Sequence, residues 1–393
     1  MNCNFDQIID RRQTCSVKWD FNQRIFGRED VLPLWVADMD FQAPEAVIEA
    51  LVNRAKHGIF GYSDGMEGYY EALTNWLHQR FGWEIQRDWV TFSPGIVFGL
   101  YQLVKSLTKP GDKVLLQSPV YPPFFNAIKN NDRELVNSQL IFAENRYVMD
   151  YEDLEEKFSN GVKMMILCNP HNPVGRVWER EELERLGKLC LTYKVLVISD
   201  EIHGDLIYKG HRHIPFATLS PELATQSVIC TAPSKTFNLA GLQTSNLIIP
   251  NPDYRQAFLA TRDLTGIHNP NVFGITALEA AYRYGWDWLN QLMDYLQGNV
   301  DYLISSLVQI SHVKLIQPEG TYLAWLDFRD LGMDPKELQK FLVHKAGVGL
   351  NPGFQFGPGG EGFARLNIGC SRSTLEEGCE RIRVAIDKLD LHV

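Results

Sequence analysis

The sequence predicts an α/β protein: a mostly parallel central sheet sandwiched by helices, joined to a second, smaller α+β unit. From about residue 90, short apolar runs alternate with amphipathic stretches of helical spacing. The runs "MMILC", "VLVIS" and "SNLIIP" are continuously apolar, which is typical of strands buried on both faces of a parallel sheet. The last third of the chain changes pattern, and this change predicts the second unit.

The predicted elements follow in chain order. "WVTF" is a strand before the helical "VFGLYQLVKSL", and the turn "KPGD" leads into the strand "KVLLQ". "KMMILC" precedes the helix "REELERLGKLCLTY", and "VLVISD", "SVICTA" and "SNLIIP" are further strands. The last third comprises the long helix "WDWLNQLMDYLQGNVDYLISSLVQI", the segment "TYLAWLDF", a short helix near 334–346, the strand-like "GFARLNIG" and a final helix from about Ser373. Periodicity does not predict where the N-terminal segment packs.

Composition excludes several classes of protein. The formal net charge of −10 and the lack of basic runs argue against a nucleic-acid surface, so an anionic ligand must be held by local donors. The longest apolar runs are too short to span a bilayer. The N-terminus has early charges and no apolar signal core. The seven cysteines have no C-x-x-C spacing, which indicates reduced thiols. These features predict a cytoplasmic protein.

The residues that packing does not explain follow the predicted strands, where ligands bind in open α/β sheets. After "WVTF" comes a turn with Gly95, Ile96 and Val97, and the amides that begin a helix there can seat a phosphate. Such turns also use Pro and Gly for geometry alone. Tyr121 can stack on a flat ligand or simply cover apolar surface, and Asn172 can donate to a ligand or only form a turn.

Two further strand ends carry charged side chains. Asp200 ends a buried strand, where a carboxylate is costly unless it meets a cationic heterocycle or caps a helix. His203 can reach the same ligand, but His211 and His213 have no compact spacing to it, so no metal is predicted. Lys235, beside Thr231 and Ser234, is either a surface cation or a desolvated nucleophile.

Taken together, these loops indicate one site. A phosphate seat, a ring, an amide, a carboxylate and a lysine suit pyridoxal phosphate, a flat, cationic, phosphorylated aldehyde. Arg365, in "GFARLNIG", adds a guanidinium suited to the carboxylate of an amino-acid substrate.

The chain also resembles, over essentially its whole length, fold-type I pyridoxal-phosphate enzymes, and specifically the MalY/PatB family of cystathionine β-lyases and cysteine-S-conjugate lyases. The phrases that carry the resemblance are "LPLWVADMDF", "HGIFGY", "FSPGIV", "SPVYPPF", "CNPHNPVGR", "SDEIHGDL", "APSKTFNLAGLQ" and "FARLNIGCS". The resemblance implies a lyase that eliminates a thiol from L-cystathionine or related cysteine S-conjugates and leaves pyruvate and ammonia.

The resemblance implies a role for each ring-binding residue. Lys235 would form the Schiff base with the cofactor, and Asp200 would pair with the pyridinium nitrogen. Asn172 and His203 would bind the 3′-oxygen, and Tyr121 would stack on the ring and border the substrate.

The resemblance also implies how the phosphate and the substrate are held. The phosphate would be seated by the backbone of Gly95, Ile96 and Val97, with help from Ser234 and from Tyr62 of a second subunit, so that the active form is a homodimer. The substrate carboxylate would bind Arg365 and the backbone at Ala37. Residues 41–288 would form the large cofactor-binding domain, and residues 1–40 with 289–393 the small one.

One residue departs from the broader aminotransferase pattern, which has an arginine eight residues after the lysine. Here position 243 is Gln243, which weakens an ordinary aminotransferase assignment. An aminotransferase nevertheless stays an alternative. A regulatory protein that sequesters a transcription factor is a second alternative, from a different class.

Overall fold

The computed structural model describes residues 3–390. The strands are β1 (Leu32–Pro33), β2 (Val90–Ser93), β3 (Lys113–Leu116), β4 (Glu134–Asn137), β5 (Ile141–Ala143), β6 (Arg146–Val148), β7 (Val162–Cys168), β8 (Leu196–Asp200), β9 (Ser227–Thr231), β10 (Ser245–Ile248), β11 (Lys314–Ile316), β12 (Leu323–Asp327), β13 (Val348–Gly349), β14 (Asn351–Pro352) and β15 (Phe363–Asn367).

The α-helices are α1 (Val17–Asp20), α2 (Asn22–Phe26), α3 (Glu45–His57), α4 (Glu67–Phe81), α5 (Ile96–Leu107), α6 (Pro123–Lys129), α7 (Tyr151–Ser159), α8 (Arg180–Tyr193), α9 (Pro221–Thr225), α10 (Pro233–Thr236), α11 (Pro252–Asp263), α12 (Val272–Tyr284), α13 (Trp286–Leu307), α14 (Pro335–Phe341) and α15 (Arg372–Asp390). Short 3₁₀ turns span Arg87–Trp89, Phe216–Thr218, Ala240–Leu242, Arg329–Leu331 and Gly353–Phe356, and a π-helical turn spans Leu342–Ala346. None of the helices within residues 3–390 is long and apolar enough to cross a bilayer.

The central sheet has seven strands in the order β2-β10-β9-β8-β7-β3-β4. β10 runs antiparallel to both of its neighbours, and the other pairs are parallel. The predicted α/β fold and its mostly parallel sheet are thereby confirmed. β4 was not predicted, because it is an edge strand whose residues are only partly buried and carry no strong apolar pattern.

Both faces of this sheet are covered, as continuously apolar strands require. Along β7, Met164 and Ile166 belong to one apolar cluster with helices α5, α6 and α11. Met165 and Leu167 belong to the other cluster, which α4, α7, α8 and α12 help to form. The helices therefore cover both faces of the sheet, and the loops that follow the strands are where a ligand can bind.

The last third of the chain forms a four-stranded antiparallel sheet, β11-β12-β15-β14, with the long helix α13 and the final helix α15. These elements match the predicted α+β unit, and the predicted short helix near 334–346 is α14 with its π-helical turn. The N-terminal segment joins this part of the chain, because β1 pairs in parallel with β13. The division into 41–288 and 1–40 with 289–393 stays a prediction, which this pairing supports.

Candidate active site

A cavity of about 210 Å³ lies at the carboxyl ends of β7, β8 and β9. It is lined by Ala37, Pro94, Gly95, Ile96, Val97, Phe98, Tyr121, Cys168, Asn172, Asp200, Ile202, His203, Ser234, Lys235, Ala240, Gln243 and Thr244. A second cavity of about 680 Å³ shares Ala37, Tyr121 and Lys235 with it and reaches Arg365. The structure thus brings together every residue predicted for the site except Tyr62, and we call the two spaces the inner and the outer cavity.

Lys235 lies where the two cavities meet, on the short helix that follows β9. Its Nζ donates a 2.6 Å hydrogen bond to the carbonyl oxygen of Ala37. Burial, together with the nearby charge of Arg365, lowers the pKa of Lys235 to about 8, while Asp38 and Asp200 oppose this shift. The lowered pKa makes a larger fraction of this lysine neutral near pH 7 than of an exposed lysine, and the neutral amine is the form that attacks carbonyls and accepts protons.

Asp200 ends β8 and is almost completely buried. Its Oδ1 accepts a 3.3 Å hydrogen bond from the amide of Ile202. Burial raises the pKa of Asp200 to about 7, and the charge of Lys235 only partly offsets that effect. A buried carboxylate so weakly compensated is suited to a cationic partner from a ligand.

His203 follows in the turn after β8 and is also buried. Its Nδ1 has no hydrogen-bond partner among the described residues, and burial with the charges of Lys235 and Arg365 lowers its pKa well below the ordinary value. The ring of His203 lines the inner cavity, where it can contact a ligand. By contrast, His213 is used within the protein, since its Nε2 lies 2.9 Å from Glu201 Oε2.

The predicted phosphate seat lies where β2 turns into α5. Gly95 precedes the helix with a φ of 124°, and no side chain caps the first turn. The Gly95 amide donates to the hydroxyl of Ser245 at 3.2 Å, so the first-turn amides of Ile96 and Val97 are the ones suited to a ligand anion. Ser234 and Gln243 line the same cavity. Gln243 offers a neutral side-chain amide, whereas the arginine of the aminotransferase pattern would offer a positive charge.

Arg365 lies in β15, between β12 and β14, and only 5% of its surface is exposed. Its guanidinium donates to Asn172 Oδ1 at 2.9 Å, to the Trp35 carbonyl at 2.9 Å and to Asn351 Oδ1 at 2.6 Å. Its Nε has no partner within the described part of the chain. Burial lowers the pKa of Arg365 to about 10, so it remains charged at neutral pH and can bind a substrate carboxylate.

The two predicted tyrosines fall in different places. Tyr121 lines both cavities from the loop after β3, as expected of a residue that borders both the cofactor and the substrate. Tyr62 is fully exposed and lines neither cavity of the single chain. Its predicted role depends on a second subunit and stays a prediction.

Two residues near the site were not predicted. Tyr322, the residue before β12, donates a hydrogen bond from its hydroxyl to the Ala37 carbonyl at 2.9 Å. Cys168 ends β7 and lines the inner cavity, where its Sγ accepts from the Asn172 amide at 3.3 Å. The position of Cys168 at the end of a buried strand is the signal that would have identified it, whereas Tyr322 and Ala37 are too distant in sequence for any local pattern to connect them.

The arrangement as a whole is suited to one kind of ligand. The inner cavity offers a buried carboxylate for a cation, a tyrosine ring for a flat face, a helix start for an anion and a lysine of lowered pKa for an electrophilic carbon. The outer cavity offers Arg365 to a second carboxylate. No group of three or more His, Cys, Asp or Glu side chains within residues 3–390 is placed to hold a metal ion.

Comparison with known proteins gives consistent results. The sequence profile of the family described as "Aminotransferase class I and II" matches residues 29–382. The chain is 48% identical to the cystathionine beta-lyase PatB of Bacillus subtilis (strain 168), over 98% of this chain and 100% of that one. It is 35% identical to Protein MalY of Escherichia coli (strain K12), over 95% and 96% of the two chains. Cystalysin from Treponema denticola, whose crystal structure contains a pyridoxal 5′-phosphate cofactor, aligns with a TM-score of 0.96 at 37% identity and covers 99% of this chain and 100% of its own.

Proposed function

The chain belongs to the class I and II aminotransferase family, within its MalY/PatB group of pyridoxal-phosphate-dependent carbon–sulfur lyases, and from this premise we propose what each part of the site does. The chain is a carbon–sulfur β-lyase, and its proposed substrates are L-cystathionine and related cysteine S-conjugates. The products are pyruvate, ammonia and a thiol, which is homocysteine when cystathionine is cleaved. The observation that carries the proposal is that Lys235 and Asp200, both with shifted pKa values, line one cavity.

The residues present fit the cofactor. Asp200 would pair with the ring nitrogen, because its raised pKa shows that the protein alone compensates the carboxylate poorly. The imidazole of His203 and the side-chain amide of Asn172 would bind the 3′-oxygen, and Tyr121 would stack on the ring. The amides of Ile96 and Val97, together with Ser234, would form the phosphate seat at the turn that Gly95 makes before the uncapped α5.

Lys235 would carry the proton transfer. Bound pyridoxal phosphate supplies an electron sink for the charge that develops at the substrate α-carbon. The neutral Nζ of Lys235, with its pKa near 8, accepts the α-proton and gains a positive charge there. The Ala37 carbonyl, 2.6 Å from Nζ, is already placed to accept a hydrogen bond from that charge.

Arg365 and the outer cavity would hold the substrate. The guanidinium is fixed by Asn172 and Asn351 and lines the outer cavity, where it would bind the α-carboxylate of the amino acid. The sulfur substituent then lies in the outer cavity, whose volume of about 680 Å³ leaves space for a group as large as the homocysteine portion of cystathionine.

The active form would be a homodimer. Exposed apolar side chains are concentrated in the segment that includes Tyr62, namely Ile59, Phe60, Tyr62 and Met66. A second subunit would cover this segment and bring Tyr62 to the phosphate of its partner.

A cytoplasmic location is supported by the seven cysteines, all free, of which five are buried.

The alternative function is that of an aminotransferase with the same fold. The two enzymes differ because an aminotransferase needs a 2-oxo acid as acceptor and a lyase does not. Purified protein with pyridoxal phosphate and L-cystathionine, but no 2-oxo acid, should release pyruvate and homocysteine in equal amounts. Lactate dehydrogenase would measure the pyruvate, and a thiol reagent the homocysteine. Turnover that occurs only after a 2-oxo acid is added would establish the aminotransferase instead.

A further inference from the structure

The carbonyl oxygen of Ala37 accepts two hydrogen bonds at the centre of the site. One comes from Lys235 Nζ at 2.6 Å and the other from Tyr322 Oη at 2.9 Å. Tyr322 is 1% exposed, and its ring lies edge-on to that of His203 with the ring centroids 5.9 Å apart. The lysine therefore shares its acceptor with a buried hydroxyl.

The backbone that carries this carbonyl is held from both sides. Asn367 Nδ2 donates to the carbonyls of Val36 and Asp38, each at 2.5 Å. Asn238, three residues after Lys235, donates from Nδ2 to the Met39 carbonyl at 2.8 Å. Because residues 36–39 are fixed in this way, the carbonyl cannot turn toward one donor at the expense of the other.

We propose that Tyr322 is a positioning residue, whose hydroxyl holds the Ala37 carbonyl so that Lys235 can leave it as a neutral amine. When Lys235 moves to the reacting atoms, a buried carbonyl without a donor would be costly, and the Tyr322 hydroxyl prevents that. The hydroxyl also occupies part of the carbonyl's accepting capacity, so the carbonyl is a weaker partner for a charged lysine. Tyr322 thus acts on the reaction through Ala37 and Lys235 and deepens the lyase function proposed above, on which it rests.

The other charges around Lys235 are Arg365, which disfavours its protonated form, and Asp38 and Asp200, which favour it. His203 is neutral, since burial lowers its pKa. A Tyr322→Phe substitution leaves these four groups in place and removes one oxygen atom. The remaining acceptor capacity of Ala37 then favours the protonated lysine, so the pKa of Lys235 should rise by roughly half to one unit.

The experiment measures the titration of Lys235 in two ways. In the full chain stripped of cofactor, competitive labelling with acetic anhydride over a range of pH, read by peptide mass spectrometry, gives the pKa of the amine. In the holoenzyme, the acid limb of the kcat–pH profile gives the pH at which the base loses its proton. Both should move up in Tyr322→Phe, and kcat at pH 7 should fall by about three- to tenfold. Tyr208→Phe is the control, because the buried Tyr208 hydroxyl has no partner among the described residues and lines neither cavity.

The outcomes separate cleanly. If the pKa of Lys235 from labelling and the pH of the acid limb are the same in Tyr322→Phe as in the wild type, the proposal is wrong and Tyr322 serves only the packing of the core. The labelling needs no turnover, so it tests Tyr322 even if the lyase function fails. Should the phenylalanine variant not fold, 3-fluorotyrosine at position 322 keeps the shape and donates more strongly, and the pKa of Lys235 should then fall; a rise or no change would also overturn the proposal.

Discussion

Asp200→Asn should make the cofactor-free chain more stable while it weakens cofactor binding. Burial raises the pKa of Asp200 from 3.8 to about 7, a difference of roughly three units. At about 1.4 kcal/mol per unit, the ionised carboxylate destabilises the folded chain by up to about 4 kcal/mol above pH 7. A neutral amide of the same shape removes that cost, so we expect the free energy of unfolding to rise by about 2–4 kcal/mol at pH 8.

The sign of the pH dependence provides a second test. A raised carboxyl pKa means that the folded chain binds more protons than the unfolded chain between about pH 4 and 7. The wild-type contribution from Asp200 therefore becomes less destabilising as pH falls through 7, and the advantage of the variant should disappear near pH 4.

Urea unfolding of the cofactor-free proteins at pH 8, 6 and 4 measures these differences, and a titration with pyridoxal phosphate measures affinity. The matched control is Asp205→Asn, because Asp205 is a buried carboxylate with partners inside the protein. Asp205 accepts hydrogen bonds from Arg80 Nε at 3.1 Å and from Thr236 Oγ1 at 2.8 Å. The free energy of unfolding of Asp205→Asn should therefore be lower than that of the wild type by at least about 1 kcal/mol. If Asp200→Asn is destabilised like Asp205→Asn, Asp200 is a structural residue and the reasoning fails.

Three further predictions concern the substrate, the core and the phosphate. Arg365→Lys should raise KM for cystathionine by about 10- to 100-fold, with a smaller effect on kcat. The reason is that a lysine cannot keep the three internal hydrogen bonds of Arg365 and also bind a carboxylate. An unchanged KM in steady-state assays would contradict this. Lys18→Met should lower the free energy of unfolding by about 3 kcal/mol in urea, because the fully buried Lys18 Nζ lies 2.7 Å from Asp40 Oδ2; an unchanged free energy of unfolding would contradict this. Gln243→Arg should tighten pyridoxal phosphate binding several-fold at low salt, measured by absorbance titration, and weaker binding by a normally folded variant would count against the placement of the phosphate.

The residues at the strand ends could be predicted from the sequence, because each is a polar or charged side chain directly after an apolar strand, where packing of the core does not require it. Asp200 after "VLVIS" and Lys235 after "SVICTA" are of this kind, and both line the inner cavity. Parallel strands end at the same edge, so order along the chain became proximity in space.

Other features needed the structure. The Tyr322–Ala37 contact joins residues 285 positions apart, and no local pattern connects them. The Gly95 amide, predicted to seat the phosphate, is already bound to Ser245, which lies on β10, a neighbouring strand in the sheet. Both cases depend on tertiary contacts between residues of ordinary local composition.

In the proposed mechanism, Lys235 carries the elimination chemistry of a pyridoxal-phosphate lyase. The most direct test mixes wild type and Lys235→Ala with pyridoxal phosphate and L-cystathionine, and follows pyruvate together with the visible absorbance of the bound cofactor. We predict that the variant loses that absorbance and nearly all pyruvate release, while its circular dichroism is unchanged. A Lys235→Ala protein that keeps both the absorbance and the turnover would contradict the account.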